Sequence, residues 1–213
     1  NQHCMSEFII CPSRAEMAED LASLQRLCFP NVSEQELITA SQYRAHIERF
    51  PDGQLAVLRT DGALAAGSTS CLCHIDLTHY QHSYMEASGQ NWLHNHDPSG
   101  DWLYGVDIGV HPSERGQGLS KLIYDARKAL VRRLGIKGII VGGMLKGYSS
   151  YRATMSAQEY LSAVQRQEIF DPTVSVQLRR GFQVHGLLPH YIDDPTIDGA
   201  AALLLWRNDA API

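Results

Sequence analysis

The chain has 213 residues, 44% of them hydrophobic and 19% charged, with 18 Lys+Arg against 23 Asp+Glu and a formal net charge of -5. At this length a chain buries roughly 70% of the surface its unfolded form exposes, so one core without staples, and one domain, are expected. The mild acidity, with no block of five or more like charges, argues against a nucleic-acid tail or a polybasic membrane patch. No apolar run approaches the roughly 18 residues that cross a bilayer, and residues 1–5 lack the order of a signal peptide. A soluble, cytoplasmic protein with no membrane partner is expected. Met5 is expected to be the natural start, with residues 1–4 a vector remnant. Cysteines 4, 11, 28, 71 and 73 are odd in number and irregular in spacing, as reduced thiols are. No second pair complements Cys71 and Cys73 at zinc-ribbon spacing, so no metal is expected.

A short strand over Glu7–Cys11 leads to Ser13 and Glu16, spaced as a capping box, and to a helix with Met17, Leu21, Leu24 and Cys28 on one face, ended by Phe29-Pro30. A second capping box, Ser33 to Glu36, predicts a helix through Ile47. Gln54–Thr60 and Ala63–Cys73 read as a hairpin across Asp61-Gly62. Residues 74–100 form a long, His-rich connection, and long loops are often functional. Asp101–Val110 is a predicted strand. Leu119–Leu134 is a predicted amphipathic helix with Leu119, Leu122, Ile123, Ala126, Leu130 and Leu134 on one face and Gly135 as its stop. A strand over Lys137–Val141 follows. Ser156 and Glu159 predict a helix to about Gln167, Asp171-Pro172 a short one ending at Gly181, and Phe182–Leu188 and Ala200–Trp206 two closing strands.

The chemistry-bearing stretch is Arg115-Gly-Gln-Gly-Leu-Ser120, where a strand runs through glycines straight into a helix. Backbone N–H groups there converge on an anion at the positive end of the helix dipole. The P-loop pattern is absent. A dinucleotide fingerprint fails too, because Lys121 stands where its third glycine belongs and residues 131–141 contain no Asp or Glu. The run V-H-P-S-E-R-G-Q-G-L-S-K-L, with the order of elements and Arg179-Arg-Gly-Phe182 downstream, resembles the pyrophosphate motif [RQ]-x-x-G-x-[GA] of the GCN5-related N-acetyltransferase (GNAT) superfamily. The resemblance covers about residues 6–207. It looks most like the acetyltransferase domains fused to carbon–nitrogen hydrolase (nitrilase-like) domains.

The resemblance implies a mixed α/β fold, with a central, mostly antiparallel sheet, a splayed motif strand and flanking helices, in a single domain over 6–207. It implies transfer of an acetyl group from acetyl-CoA to a primary amine by direct attack in a ternary complex. Ile108, Gly109 and Val110 would hold the pantetheine and acetyl end, and Arg115, Gly116, Gln117, Gly118, Leu119 and Ser120 the pyrophosphate. Ser120 departs from the usual Gly or Ala, and Gln177 stands where the family's frequent catalytic Tyr falls. Tyr148 and Tyr151 are candidate replacements. Tyr104 and Asp107 are the candidate catalytic residues. Strand alternation puts Tyr104, Val106, Ile108 and Val110 on one face and Asp107 on the other, while Gly105 and Gly109 suggest a bulge or a close approach. His74, His79, His82, His94 and His96 are expected to line an acceptor pocket rather than bind metal, with the helix from 156 as one of its walls. The acceptor is either a small amine or a protein lysine or N-terminus. A catalytically silent CoA-binding module and a nucleotide-binding protein are the other readings, and the apolar closing strands would suit a homodimer or the core.

Overall fold

The computed structural model describes residues 7–209, so the proposed vector remnant lies outside the described residues. Seven strands form one sheet in the order β1-β2-β3-β4-β5-β7-β6. They are β1 Phe8–Pro12, β2 Leu55–Arg59, β3 Leu64–Cys73, β4 Trp102–Val110, β5 Gly138–Met144, β6 Gln183–Leu188 and β7 Ala201–Arg207. Every pairing is antiparallel except β4 with β5, which run parallel for only three residue pairs, Leu103 with Ile139, Tyr104 with Ile140 and Gly105 with Val141. Beyond Gly105 the two strands part. β7 lies between β5 and β6, so its apolar run is spent on the core and β6 is the edge.

Helices α1 (Ala18–Cys28) and α2 (Ala40–Arg49) cover one face of the sheet, where Leu21, Ile38 and Tyr43 bury against Ala56. Helix α4 (Leu119–Leu134) covers the other, where Leu119 and Ile123 meet Val57, Ala65 and Ala66. Each large apolar side chain so buried contributes roughly 1.5–3 kcal/mol. The α4 limits are those the sequence pattern predicts, and Gly135 closes the helix in the left-handed region at φ 65°. Its buried face is rotated from the predicted one, however. Leu134 is exposed, whereas Tyr124, Arg127 and Val131 are buried.

Two predicted caps form differently. Glu16 pairs with Arg14 instead of the backbone at Ser13, and a short turn over Ala15–Met17 precedes α1. Ser33 caps no helix: α2 begins later, with Thr39 and Gln42 forming the capping box. The box at Ser156 does form and opens α5 (Ala157–Gln165). Asp171 Oδ1 accepts from the backbone N–H groups of Thr173 and Val174 at the start of α6 (Val174–Arg179). The 74–100 connection contains a turn of helix, α3 (Tyr84–Ala87), capped by Ser83 and Glu86, and after it an irregular helical turn over Gly89–Leu93.

Candidate active site

The parting of β4 from β5 opens a cavity of about 660 Å³ running from the glycine turn before α4 into the α1–α2 side of the sheet. At its outer end, Gly116 and Gly118 both adopt φ 79°, and a Cβ on either would meet no atom within 4 Å. The first N–H groups of a 16-residue helix, which have no intrahelical acceptor, start immediately behind them. Buried Glu114 fixes the turn from below, pairing with Arg59 and accepting from Gln117 Nε2 (2.8 Å). His111 accepts from the Ser113 N–H and caps the preceding turn. An open, left-handed backbone cradle at a helix N-terminus fits a diphosphate. Arg115, Gly116, Gly118, Leu119 and Ser120 line the cavity here, and Ile108 and Val110 line it further in. Gln117 and Gly109 do not. Gln117 is spent on Glu114, and a Cβ on Gly109 would come within 3.0 Å of Cys28 Sγ.

The bulge lies between the two strand glycines. β3 pairs Thr69 with Asp107 and Ser70 with Gly105, so Val106 is the extra residue. This overturns the simple alternation. Asp107 turns to the α1–α2 side, where Tyr43 Oη donates to its Oδ2 (3.1 Å), the side on which Tyr104 also buries. Ile108 and Val110 point instead to the α4 face with Leu119 and Ile123. Gly105 is a place of close approach: a Cβ there would sit 2.5 Å from Arg127 Nη1.

Asp107 is buried and lines the cavity. Burial pushes its carboxyl up to about 6, opposed by the Tyr43 hydrogen bond, the Arg127 charge, the Ile108 N–H and Lys146. Tyr104 does not reach the cavity. Its hydroxyl is taken up by His82 Nε2 (2.6 Å) and by the Tyr191 hydroxyl (3.0 Å), and it is Tyr191 that lines the wall. Gly142 on β5 makes room for that Tyr191 ring.

At the Gln177 position the side-chain Nε2 donates to Tyr124 Oη (3.1 Å), and both residues line the cavity. With its oxygen engaged as acceptor, Tyr124 keeps its own proton free, and no described residue accepts it. The sequence reading missed Tyr124 by taking the other helix face as buried. The two tyrosines it named are elsewhere. Tyr148 donates to the Met155 carbonyl (2.8 Å), Tyr151 packs on Tyr160, and neither lines the cavity.

None of the five histidines lines the cavity, which corrects that expectation. His74 pairs with Asp101, His79 with Asp76, His94 stacks on Trp92 and His96 on Phe50; His82 sits behind the wall, bonded to the Tyr104 hydroxyl and the Tyr80 carbonyl and edge-on to Tyr191. Among the described residues no group of three or more His, Cys, Asp or Glu is placed to hold a metal ion. Helix α5 is not a cavity wall either, since its Tyr160 is turned onto Asp171 (2.6 Å). Further wall comes from the end of α1 and the loop after it, through Cys28, Phe29, Val32 and Glu36, together with Tyr84, Lys146 and Ile192.

No protein-family model matches the chain. It is 30% identical over 191 residues to the uncharacterized N-acetyltransferase YkwB of Bacillus subtilis (strain 168), a match covering 89% of this chain and 84% of that protein. The chain belongs to the GNAT superfamily. The parted β4 and β5 are this fold's splay, and the relative that shows the family is an N-acetyltransferase. It is also 34% identical over 191 residues to the probable hydrolase YhcX of the same organism, of which it spans only 36%. Among solved structures, the loading GNATL domain of CurA from Lyngbya majuscula superposes with a TM-score of 0.80 at 18% identity, over 95% of this chain and 98% of that one. The GphF GNAT-like decarboxylase in complex with isobutyryl-CoA does so at 0.77 and 20%, over 93% and 98%. These two likenesses establish the GNAT fold. No helix among the described residues is long and apolar enough to cross a membrane.

Proposed function

We propose that the protein transfers an acetyl group from acetyl-CoA to a small primary amine by direct attack within a ternary complex. The observation that carries this reading is Asp107, a buried carboxylate poised near neutrality in a cavity continuous with a diphosphate cradle. The cradle around Gly116–Ser120 would orient the cosubstrate's diphosphate, with Ile108 and Val110 beside its pantetheine arm. That a GNAT-like protein of the same fold is solved with isobutyryl-CoA supports an acyl-CoA in this place. Asp107 would take the proton from the attacking amine, and a base tuned near the working pH does so best. Tyr124, oriented by Gln177, would give its proton to the departing sulfur, filling the role left open by Gln177 itself.

The preference for a small acceptor rests on two hydrogen bonds. The Ser33 N–H donates to the Asp193 carbonyl (2.9 Å), and the Asp193 N–H donates to Glu36 (2.5 Å). They stitch the loop after α1 to the loop before β7, which favours a small acceptor over a peptide laid between the two loops. The likeness to YhcX, a probable hydrolase much longer than this chain, agrees with the expected fusion of such domains to a carbon–nitrogen hydrolase.

Calorimetry with acetyl-CoA, followed by a thiol-release screen of amines against peptides, tests the assignment. Tight binding and turnover on a small amine are expected. Binding without turnover on any acceptor would favour a silent CoA-binding module, and tight ATP or NAD binding with none for acetyl-CoA would sink the assignment. Gly118→Ala forces a Cβ into the left-handed region at a cost of about 1–2 kcal/mol. Since no atom crowds it, the variant is expected to fold while its acetyl-CoA Kd rises about tenfold; an unchanged Kd would remove the turn from the binding site.

A further inference from the structure

Arg127 is 1% exposed, lies in no ion pair among the described residues, and lines the cavity. Its Nη2 donates to the carbonyls of Thr69 (3.0 Å) and Asp107 (2.7 Å), the facing residues beside the bulge. Its Nε and Nη1 have no hydrogen-bond partner among the described residues. The Asp107 carboxylate attracts it only at a distance and makes no ion pair with it, because Asp107 presents its main-chain oxygen to the guanidinium and its carboxylate to Tyr43. Burying a cation with two idle donors is costly unless an anion arrives to use them. Gly105 makes the placement possible, since any side chain there would overlap Nη1.

The position along α4 indicates which anion. Arg127 lies eight residues past Leu119, about 12 Å down the helix axis from the diphosphate cradle, and one turn below Tyr124. It therefore lies far from the phosphates, level with the bulge that carries Asp107.

We propose that Arg127 is a catalytic electrophile, its free N–H groups donating to the thioester carbonyl oxygen as that oxygen gains negative charge. This rests on the acyl-transfer reading above. As the amine nitrogen bonds to the carbonyl carbon, the C=O electron pair moves to oxygen beside the guanidinium and the amine proton passes to Asp107. When the pair returns, the C–S bond breaks and sulfur takes the Tyr124 proton, giving the amide and free thiol. A fixed cation in a dry cleft stabilises such charge more than a solvated one does.

The test is infrared difference spectroscopy of acetyl-CoA carrying ¹³C at the carbonyl, with wild type, Arg127→Met and Arg127→Lys. The wild type is expected to shift the thioester carbonyl band to lower wavenumber on binding. Arg127→Met should abolish the shift and lower kcat about 100-fold with the CoA Kd within about threefold, and Arg127→Lys should recover part of both. An unshifted band in the wild type, or a folded Arg127→Met keeping the shift or more than a tenth of kcat, would overturn the proposal. If Arg127→Met fails to fold, Arg127→Lys carries the comparison: a smaller shift than wild type is expected, and an undiminished one would overturn the proposal. A wild-type preference for malonyl-CoA over acetyl-CoA, lost in Arg127→Lys, would also overturn it, by assigning the guanidinium to an acyl carboxylate. Failure of the wild type to bind acetyl-CoA at all would instead strike the acyl-transfer reading.

Discussion

Asp107→Asn should lower kcat by on the order of 10³ and at the same time make the protein more stable at pH 7. The two effects share one cause. Burial raises the carboxyl from 3.8 to about 6, so the folded state carries a penalty for holding it charged. That penalty is absent below the unfolded value, grows as the pH rises, and is complete above about 6, where it amounts to about 2–3 kcal/mol. Asn keeps the acceptor for Tyr43 and removes the charge. The Tm gap between variant and wild type should therefore be small near pH 4 and widest at neutral pH. Wild-type kcat/KM should fall on the acid side of about pH 6, where the base is protonated. A variant with more than a tenth of wild-type turnover would remove Asp107 from the reaction, and a Tm gap that does not widen with pH would show its charge is not a folding cost.

Tyr124→Phe is expected to cost about 100-fold in kcat with KM for acetyl-CoA little changed. The ring stays in the core beside Phe182, and only the proton donor is lost. Burial pushes the Tyr124 hydroxyl up, while Arg127, Gln177 and Arg180 pull it back, so the neutral donor form prevails at working pH. The deficit should shrink with an acetyl thioester whose leaving thiol is more acidic, since that sulfur departs without help. Equal deficits with both donors would mean that Tyr124 positions rather than protonates.

The glycine turn, the α4 limits and most of the strands are legible in the sequence because each is specified locally, by a cap, a periodicity or a left-handed glycine. The site's interior is not. Asp107 faces its pocket only because β3 spends one residue against two of β4, a register decided 38 positions away in the chain at Thr69. Tyr124 and Arg127 hide for a different reason: a polar side chain on a helix reads as solvated unless the partner that buries it is known, and here the partners are Gln177 and the carbonyl of Thr69. The residues around Glu36 have the pattern of a helix start, yet the Glu36 carboxylate accepts from the Asp193 N–H, 157 residues later.

The three-pair seam between β4 and β5 divides the sheet into a four-stranded and a three-stranded half. Apolar side chains still pack across it, but with so few backbone bonds the seam is expected to open locally at a lower free energy than global unfolding. Backbone amides of Ile139–Val141 would then exchange deuterium together, ahead of those in β3. A molecule lodged lengthwise between the halves, against Gly105 and Val141, would act as a keystone and slow that exchange.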